Sequence, residues 1–317
     1  MQLQTLVPVE PLSGKIDYSS KIVSIGSCFA VHIAQKLAHY QFQNTVNPWG
    51  ILFHPLAIEK LVNTAINARL FTQNDVFCHN EIWSCLHTHS DLNELDAESI
   101  VASINQKTTA FKEDLQTASH CIITLGTAWV YRFMETNEIV ANCHKVSQQK
   151  FQKELLSVAD CLQALQAIEQ QIRQVNATVQ IIYTISPVRH IKDGFAENQR
   201  SKAHLIAALH QHLENNDPYN YYFPSYEIMM DELRDYRFYG KDMLHPNDLA
   251  VAYIWERFVT HCMHPETLPT MKKVDEVQKG LAHRPFNPYT EAHQQFLDTL
   301  AIKLDDLLEN YPFMKFR

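Results

Sequence analysis

No apolar run in this chain approaches the length of a membrane-spanning helix, and Met1 to Pro8 shows no basic segment followed by an apolar core. The sequence therefore predicts no membrane partner and a cytoplasmic location. Basic charge is in short supply as well. Lys and Arg total 27 against 35 Asp and Glu, a formal net charge of −8, which leaves no positive field for a phosphate backbone and excludes nucleic acid as an expected partner. Cysteine is present but unpatterned: the seven residues Cys28, Cys78, Cys85, Cys121, Cys143, Cys161 and Cys262 are odd in number and scattered. That is not the even, regular framework of a small disulfide-stapled domain, so most are expected to be reduced and several to be plain core residues. Internal repeats and low-complexity linkers are missing too, which removes the grounds for a solenoid or a string of independent domains.

What the chain does have is 46% hydrophobic residues over 317 positions, enough to bury a sizeable core. Lys21-Ile22-Val23-Ser24-Ile25-Gly26 reads as a strand that turns at its glycine, and Phe29, Ile33 and Leu37 follow at helical spacing. Phe42 to Val46 reads as a second strand ending in the loop signal Asn47-Pro48-Trp49-Gly50, and Pro55 opens a helix through Leu56, Leu61 and Ile66. Val76 to His89 suggests strand or hairpin, and Ile100 to Leu115 a helix. His120 to Leu125 and Val179 to Ile185 are apolar without alternation, as strands buried on both faces of a parallel sheet. Trp129 to Phe133 and Glu138 to Ala141 flank Glu135-Thr136-Asn137 as an inserted hairpin, and a long helix is expected from about Gln149 to Val175. A helix from Glu197 to Leu213, a strand at Tyr221 to Phe223 and a helix beginning at Pro246 complete an alternation of strands and helices. Beyond Cys262 only helical signals remain, about Met271 to Leu281 and Tyr289 to Asn310. They read as a helical extension packed on the α/β domain.

Two stretches carry chemistry. A cysteine at the first position of a helix has its sulfur near unpaired backbone N–H groups and the positive end of the helix dipole, which favour thiolate. Cys28 is so placed, and the preceding Ser27 stands as a second candidate nucleophile, through its hydroxyl, or as the cap of that helix. Far downstream, Asp242-Met243-Leu244-His245 precedes Pro246. An aspartate three residues before a histidine can bond one imidazole nitrogen and leave the other as a base. An early nucleophile and a late Asp-x-x-His form an acyl-transfer layout, and in an open parallel sheet both lie at the carboxyl ends of strands. The N–H groups of Cys28 and Gly50, with Asn47 or Thr127 beside Gly126, are the expected oxyanion donors. His87-Thr88-His89, with Cys78, His79 and Cys85 nearby, raises a metal site, but the spacing matches no standard zinc motif and no metal or other cofactor is expected. His87, His89, Asn142 and His144 are instead assigned to the substrate cleft, or to structural hydrogen bonds. Arg189 follows a strand end where it can pair with a substrate carboxylate.

The order of these pieces resembles the SGNH/GDSL hydrolase superfamily, with its Gly-Asp-Ser turn after the first strand and Asp-x-x-His before the last helix. More narrowly, Gly26-Ser27-Cys28-Phe29-Ala30 resembles the signature of the GSCFA family. Leu125-Gly126-Thr127-Ala128-Trp129, Asn142-Cys143-His144-Lys145, Ser186-Pro187-Val188-Arg189 and His283-Arg284-Pro285-Phe286 are similar to that family as well. The resemblance implies an α/β fold: a three-layer α/β/α sandwich around a mainly parallel, SGNH or flavodoxin-like sheet. It sets Cys28 at the serine nucleophile's position, Ser27 at the preceding aspartate's, His245 as base and Asp242 as its orienting partner. Where the superfamily has an asparagine two residues after its third-block glycine, Gly126 is followed by Thr127 and Ala128. The expectation is an SGNH-like domain over 1–264 with a helical extension over 265–317. Its activity would be hydrolysis or transfer of an O-acyl group of a carbohydrate or small metabolite through a Cys28 thioester. Alternatives are a non-catalytic binding module on the same fold and a metal-dependent hydrolase using His87 and His89. The sequence leaves the oligomeric state open.

Overall fold

The computed structural model describes residues 4–316. The chain runs β1 (Lys21–Gly26), α1 (Cys28–His39), β2 (Gln43–Val46), α2 (Pro55–Ile66), β3 (Phe77–His79), β4 (Ile82–Ser84), α3 (Ala97–Thr117), β5 (His120–Leu125), β6 (Trp129–Phe133) and β7 (Glu138–Val140). It continues with β8 (Phe151–Leu155), α4 (Val158–Val175), β9 (Gln180–Ile185), α5 (Phe195–Leu213), β10 (Asn220–Tyr222), α6 (Ser225–Glu227), α7 (Asp248–Cys262), α8 (Thr267–Ala282) and α9 (Glu291–Asn310). Five strands form one parallel sheet in the order β2-β1-β5-β9-β10, with Ile22 level with His120 and Ile123 with Tyr183. Numbered along the chain these five read 2-1-3-4-5, the flavodoxin-like order, whose direction of winding reverses between β1 and β5.

Strand residues alternate between two cores, because successive side chains leave opposite faces. Val23, Ile25, Cys121, Ile123, Ile181 and Tyr183 join the apolar side chains of α2, α3, α4 and α5 on one face. Ile22, Ile122 and Ile182 join those of α1, α7, α8 and α9 on the other. The result is helix, sheet and helix in three layers, as expected. The C-terminal helices belong to the second core: His39 Nε2 lies 3.0 Å from Asp275, and Gln278 donates to the His39 carbonyl at 3.2 Å. Among the described residues no helix is long and apolar enough to cross a membrane.

Three local expectations change. The long helix expected from Gln149 starts only at Val158, and Phe151–Leu155 is instead a strand pairing antiparallel with β6. The stop is chemical: Ser157 Oγ accepts from the Asp160 N–H at 3.1 Å while the Asp160 carboxylate accepts from the Ser157 N–H at 2.8 Å, a reciprocal cap that starts α4 there. The helix expected from Pro246 begins after Asn247, whose Oδ1 accepts from Ala250 N at 3.0 Å. His87-Thr88-His89 lies in a turn beyond β4 and not on a strand, so its two imidazoles do not share a strand face.

Beneath β9 and β10 sits a buried polar cluster. Glu169 on α4 is 3.0 Å from His212 Nε2 and accepts from Asn220 Nδ2 at 2.7 Å. Burial pushes its carboxyl up, but the bonds from His212 and Asn220 outweigh it and hold the pKa at about 2 against an ordinary 4.5. A carboxyl depressed in the folded state stabilises it above the unfolded pKa, and the contribution is lost as pH falls towards the folded value. Glu169→Gln is expected to cost about 1.5–3 kcal/mol near neutrality, the range for a hydrogen bond to a charged group. In urea titrations its deficit relative to wild type should shrink as pH is lowered from about 5 to about 2. A deficit constant over that window would contradict the assignment.

Candidate active site

The site is built on the reversal point of the sheet. Gly26 ends β1 at φ +133°, a conformation that favours glycine, and a Cβ there would stand 2.1 Å from the Thr124 carbonyl oxygen. That approach lets the Ser27 N–H donate to Thr124 O at 3.0 Å and turns the chain directly into α1 at Cys28. Asn47, at the end of β2, secures the turn from the other side: its Oδ1 accepts from Gly26 N at 2.8 Å. Its Nδ2 is buried and has no hydrogen-bond partner among the described residues. Gly126, after β5, donates its N–H to Phe53 O at 2.8 Å, and a Cβ on it would lie 3.0 Å from Ser27 Cβ. The ends of β1, β2 and β5 are thus closed onto one another around Ser27 and Cys28.

Cys28 is half-buried, with its sulfur against the N–H groups of Cys28 and Phe29. Burial pushes the thiol up, and it outweighs both the nearby Lys202 and these two N–H groups. The thiolate expected from helix position alone is therefore not the resting state. Ser27 is fully buried, and its hydroxyl does not cap α1 and has no hydrogen-bond partner among the described residues.

His245 and Asp242 form the expected dyad. His245 Nδ1–H donates to Asp242 Oδ2 at 2.6 Å, and Asp242 Oδ1 accepts from the N–H groups of Leu244 and His245 at 2.9 and 3.0 Å. These backbone donors, and then the imidazole, hold the Asp242 carboxyl far below the usual carboxylate range. An ionised Asp242 fixes the imidazole tautomer and leaves Nε2 free. The loop carrying the dyad is anchored to the end of β9: Arg189 donates from Nη2 to Met243 O at 2.7 Å and packs over the Tyr239 ring at 4.4 Å. Arg189 therefore ties the dyad loop to the end of β9.

Other expected site residues are engaged elsewhere. The Gly50 N–H donates to Asn47 O at 2.8 Å within its turn, so it is not a free oxyanion donor. Thr127 Oγ1 accepts from Trp129 N at 3.0 Å and lies 2.9 Å from Ser201 Oγ, which makes it a turn-former. His87 accepts from Lys60 Nζ at 2.9 Å and lines a separate cavity of about 380 Å³ with Asp75, Cys78, His79 and Glu138. His89 turns instead to Asp91, 3.0 Å away. His87 and His89 thus face different partners, and among the described residues no group of three or more His, Cys, Asp or Glu side chains is arranged to hold a metal. Asn142 Oδ1 accepts from His144 N, and buried His144 donates from Nε2 to the Cys85 carbonyl at 2.7 Å. His144 thereby braces the turn after β4, and the Asn142 side chain holds the turn that carries His144.

Three side chains that the sequence reading missed stand around Cys28 and His245. His190, after β9, is held neutral with its pKa down to about 4 by burial, then by Lys202 and His245. His32, one turn along α1 from Cys28, is lowered by burial and by His245. Lys202 on α5 is fully buried and donates to the carbonyls of Gly126 at 2.6 Å and Ser186 at 2.7 Å. It was legible in one respect: Lys202 falls in the inward stripe with Ser201, Leu205, Leu209 and His212, where a charged residue needs a reason.

A flavodoxin-like parallel sheet with a helix-initiating cysteine at its reversal point and an anchored Asp–His pair on a neighbouring loop defines an open α/β protein with its site at the strands' carboxyl ends. The GSCFA family model matches residues 21–258, and the model of the GSCFA domain protein, C-terminal domain, matches residues 274–317. The chain belongs to the GSCFA family. No curated protein matches it.

Removing the Arg189 anchor should loosen the dyad loop while the sheet stays intact. Arg189→Ala is expected to show faster tryptic cleavage after Lys241 in the folded protein, by about tenfold if the lost interactions amount to roughly 1.4 kcal/mol of local opening. An unchanged cleavage rate would show that the loop is held by something else.

Proposed function

We propose that this protein is a cysteine-dependent acyl-ester hydrolase or acyltransferase, an SGNH-like site in which sulfur replaces the serine oxygen. The observation that carries the reading is the Asp242–His245 dyad, with its 2.6 Å bond and unbonded Nε2, on the loop tied to the same sheet end as Cys28. In the resting geometry no hydrogen bond joins Cys28 Sγ to His245, and the substrate complex has to bring the two together, as apo catalytic contacts often tighten only on binding. His245 Nε2 then takes the thiol proton as sulfur attacks the acyl carbonyl. The carbonyl oxygen gains the negative charge and faces the N–H groups that begin α1, with Asn47 Nδ2 as the side-chain donor. Collapse expels the alcohol, which recovers the proton from His245, and leaves a thioester on Cys28. Water or another hydroxyl, deprotonated by His245, releases the acyl group.

The substrate class that fits is an O-acyl carbohydrate or small metabolite, by the superfamily resemblance. The domain reading is an α/β unit over 1–264 with the extension 265–317 packed on it, and seven free cysteines are in keeping with a reducing, cytoplasmic setting. A second reading is a binding module that keeps this fold without turnover. The engaged Gly50 and Thr127 donors and the upward-shifted Cys28 thiol favour it. The metal-dependent alternative has no comparable support, since His87 and His89 diverge.

Turnover of small activated acyl esters decides between the first two. Wild type should be active, Cys28→Ala inactive and His245→Ala slower by about 10²–10⁴, the range for loss of a general base. Asp242→Asn should fall in between. Equal rates in all four proteins, or none in wild type with any acyl chain tried, would overturn the enzymatic reading in favour of the binding module.

A further inference from the structure

Lys202 is a lysine with 1% exposure and, among the described residues, no carboxylate within ion-pair distance. A buried ammonium without a counter-charge is costly, and proteins rarely keep one without use. Its two hydrogen bonds, at 2.6 and 2.7 Å, are at the short end for charge-assisted contacts of about 2.7–2.9 Å. Both acceptors are main-chain carbonyls at strand ends, Gly126 after β5 and Ser186 after β9. Gly126 is also the residue pressed against Ser27. The amine is therefore fixed on the inner side of the reversal point, next to the turn that presents Cys28, and the Tyr226 ring, 5.7 Å away, covers it from α6.

The geometry points to Lys202 as the electrostatic partner of Cys28: a positioning residue whose buried cation offsets the charge that develops on sulfur and so sets how readily the thiol ionises. No bond between the two forms or breaks. The thiol proton leaves to His245, and the ammonium remains on its two carbonyls. This inference rests on Cys28 being the reacting group, as proposed above.

The groups that face the pair fit this role. The charge on Lys202 from α5 and the N–H groups of Cys28 and Phe29 from its own helix favour an ionised Cys28. Lys202 packs against the ring of Tyr226, and its charge is felt at Cys28 and at His190 in the loop after β9. His245 lowers the pKa of His32 on α1, while Asp248 raises it. Burial drives the Lys202 pKa down to about 7, and charge developing on Cys28 pulls it back up, the reciprocal of what Lys202 does to the thiol.

The test is the pH profile of Cys28 alkylation by iodoacetamide, read on the Cys28 peptide by mass spectrometry because Cys78 and Cys143 are also accessible. Lys202→Met removes the charge and keeps most of the volume. Its profile is expected to move up by about one pH unit or more, roughly tenfold slower labelling at a fixed pH below the midpoint. A superposable or downward-shifted profile would overturn the proposal. Should Lys202→Met fail to fold, the titration of lysine Cε by ¹³C NMR in wild type and Cys28→Ser decides. The coupled pair predicts a Lys202 curve spread over two steps in wild type and a single step in Cys28→Ser; identical curves would refute it. Both readouts are independent of ester turnover. Turnover that depends on Cys28 with unmoved profiles removes only the Lys202 role, and shifted profiles without turnover remove only the enzymatic reading.

Discussion

The contact between Gly26 and the Thr124 carbonyl is the constraint on which the rest of the site depends. Nothing larger than a hydrogen fits there, with a Cβ placed 2.1 Å from the oxygen, and the φ of +133° is open to glycine at little cost. Because the strands close so tightly at that point, the next N–H reaches Thr124 O, the Asn47 amide reaches Gly26 N, and Leu52 N reaches Gly26 O. The ends of β1, β2 and β5 become one rigid rim. Gly126 repeats the device from the β5 side, between the Phe53 carbonyl and Ser27 Cβ. Cys28 is held where the winding of the sheet reverses, the place where open α/β sheets leave a crevice.

Around that rim the electrostatics are a contest between burial and nearby charge. Burial wins at Cys28, against the start of α1 and Lys202 together. It also keeps His190 and His32 low. Asp242 lies at the opposite extreme, exposed and held ionised by two backbone N–H groups and its imidazole partner. The site thus keeps its thiol neutral at rest and its orienting carboxylate charged.

Much of this was readable in the sequence, and the failures have physical reasons. Buried parallel strands announce themselves by runs such as His120 to Leu125, and the alternation with helices fixed the layer order, so the α/β fold followed. Asp242 and His245 were found because their partnership is local, three residues apart in one loop. Residues 151–155 were misread because a five-residue strand flanking a strongly periodic helix is absorbed into the helical pattern, although Ser157 and Asp160 marked the true start. Gly50 and Thr127 were expected as oxyanion donors from their place near the turn, but the turns they sit in engage the Gly50 N–H and the Thr127 hydroxyl, and which N–H and carbonyl groups meet there is set by the fold. Lys202 was overlooked because its meaning depends on two carbonyls 76 and 16 residues away.

The claim that Cys28 is the group that takes the acyl chain is tested most directly by intact-protein and peptide mass spectrometry after rapid acid quench with an activated acyl ester. The account predicts one acyl group per chain, located on the Cys28 peptide, labile to hydroxylamine as a thioester, absent from Cys28→Ala and slower to form in His245→Ala. Acylation confined to other residues, or no adduct on Cys28 under conditions where the ester is turned over, would contradict it.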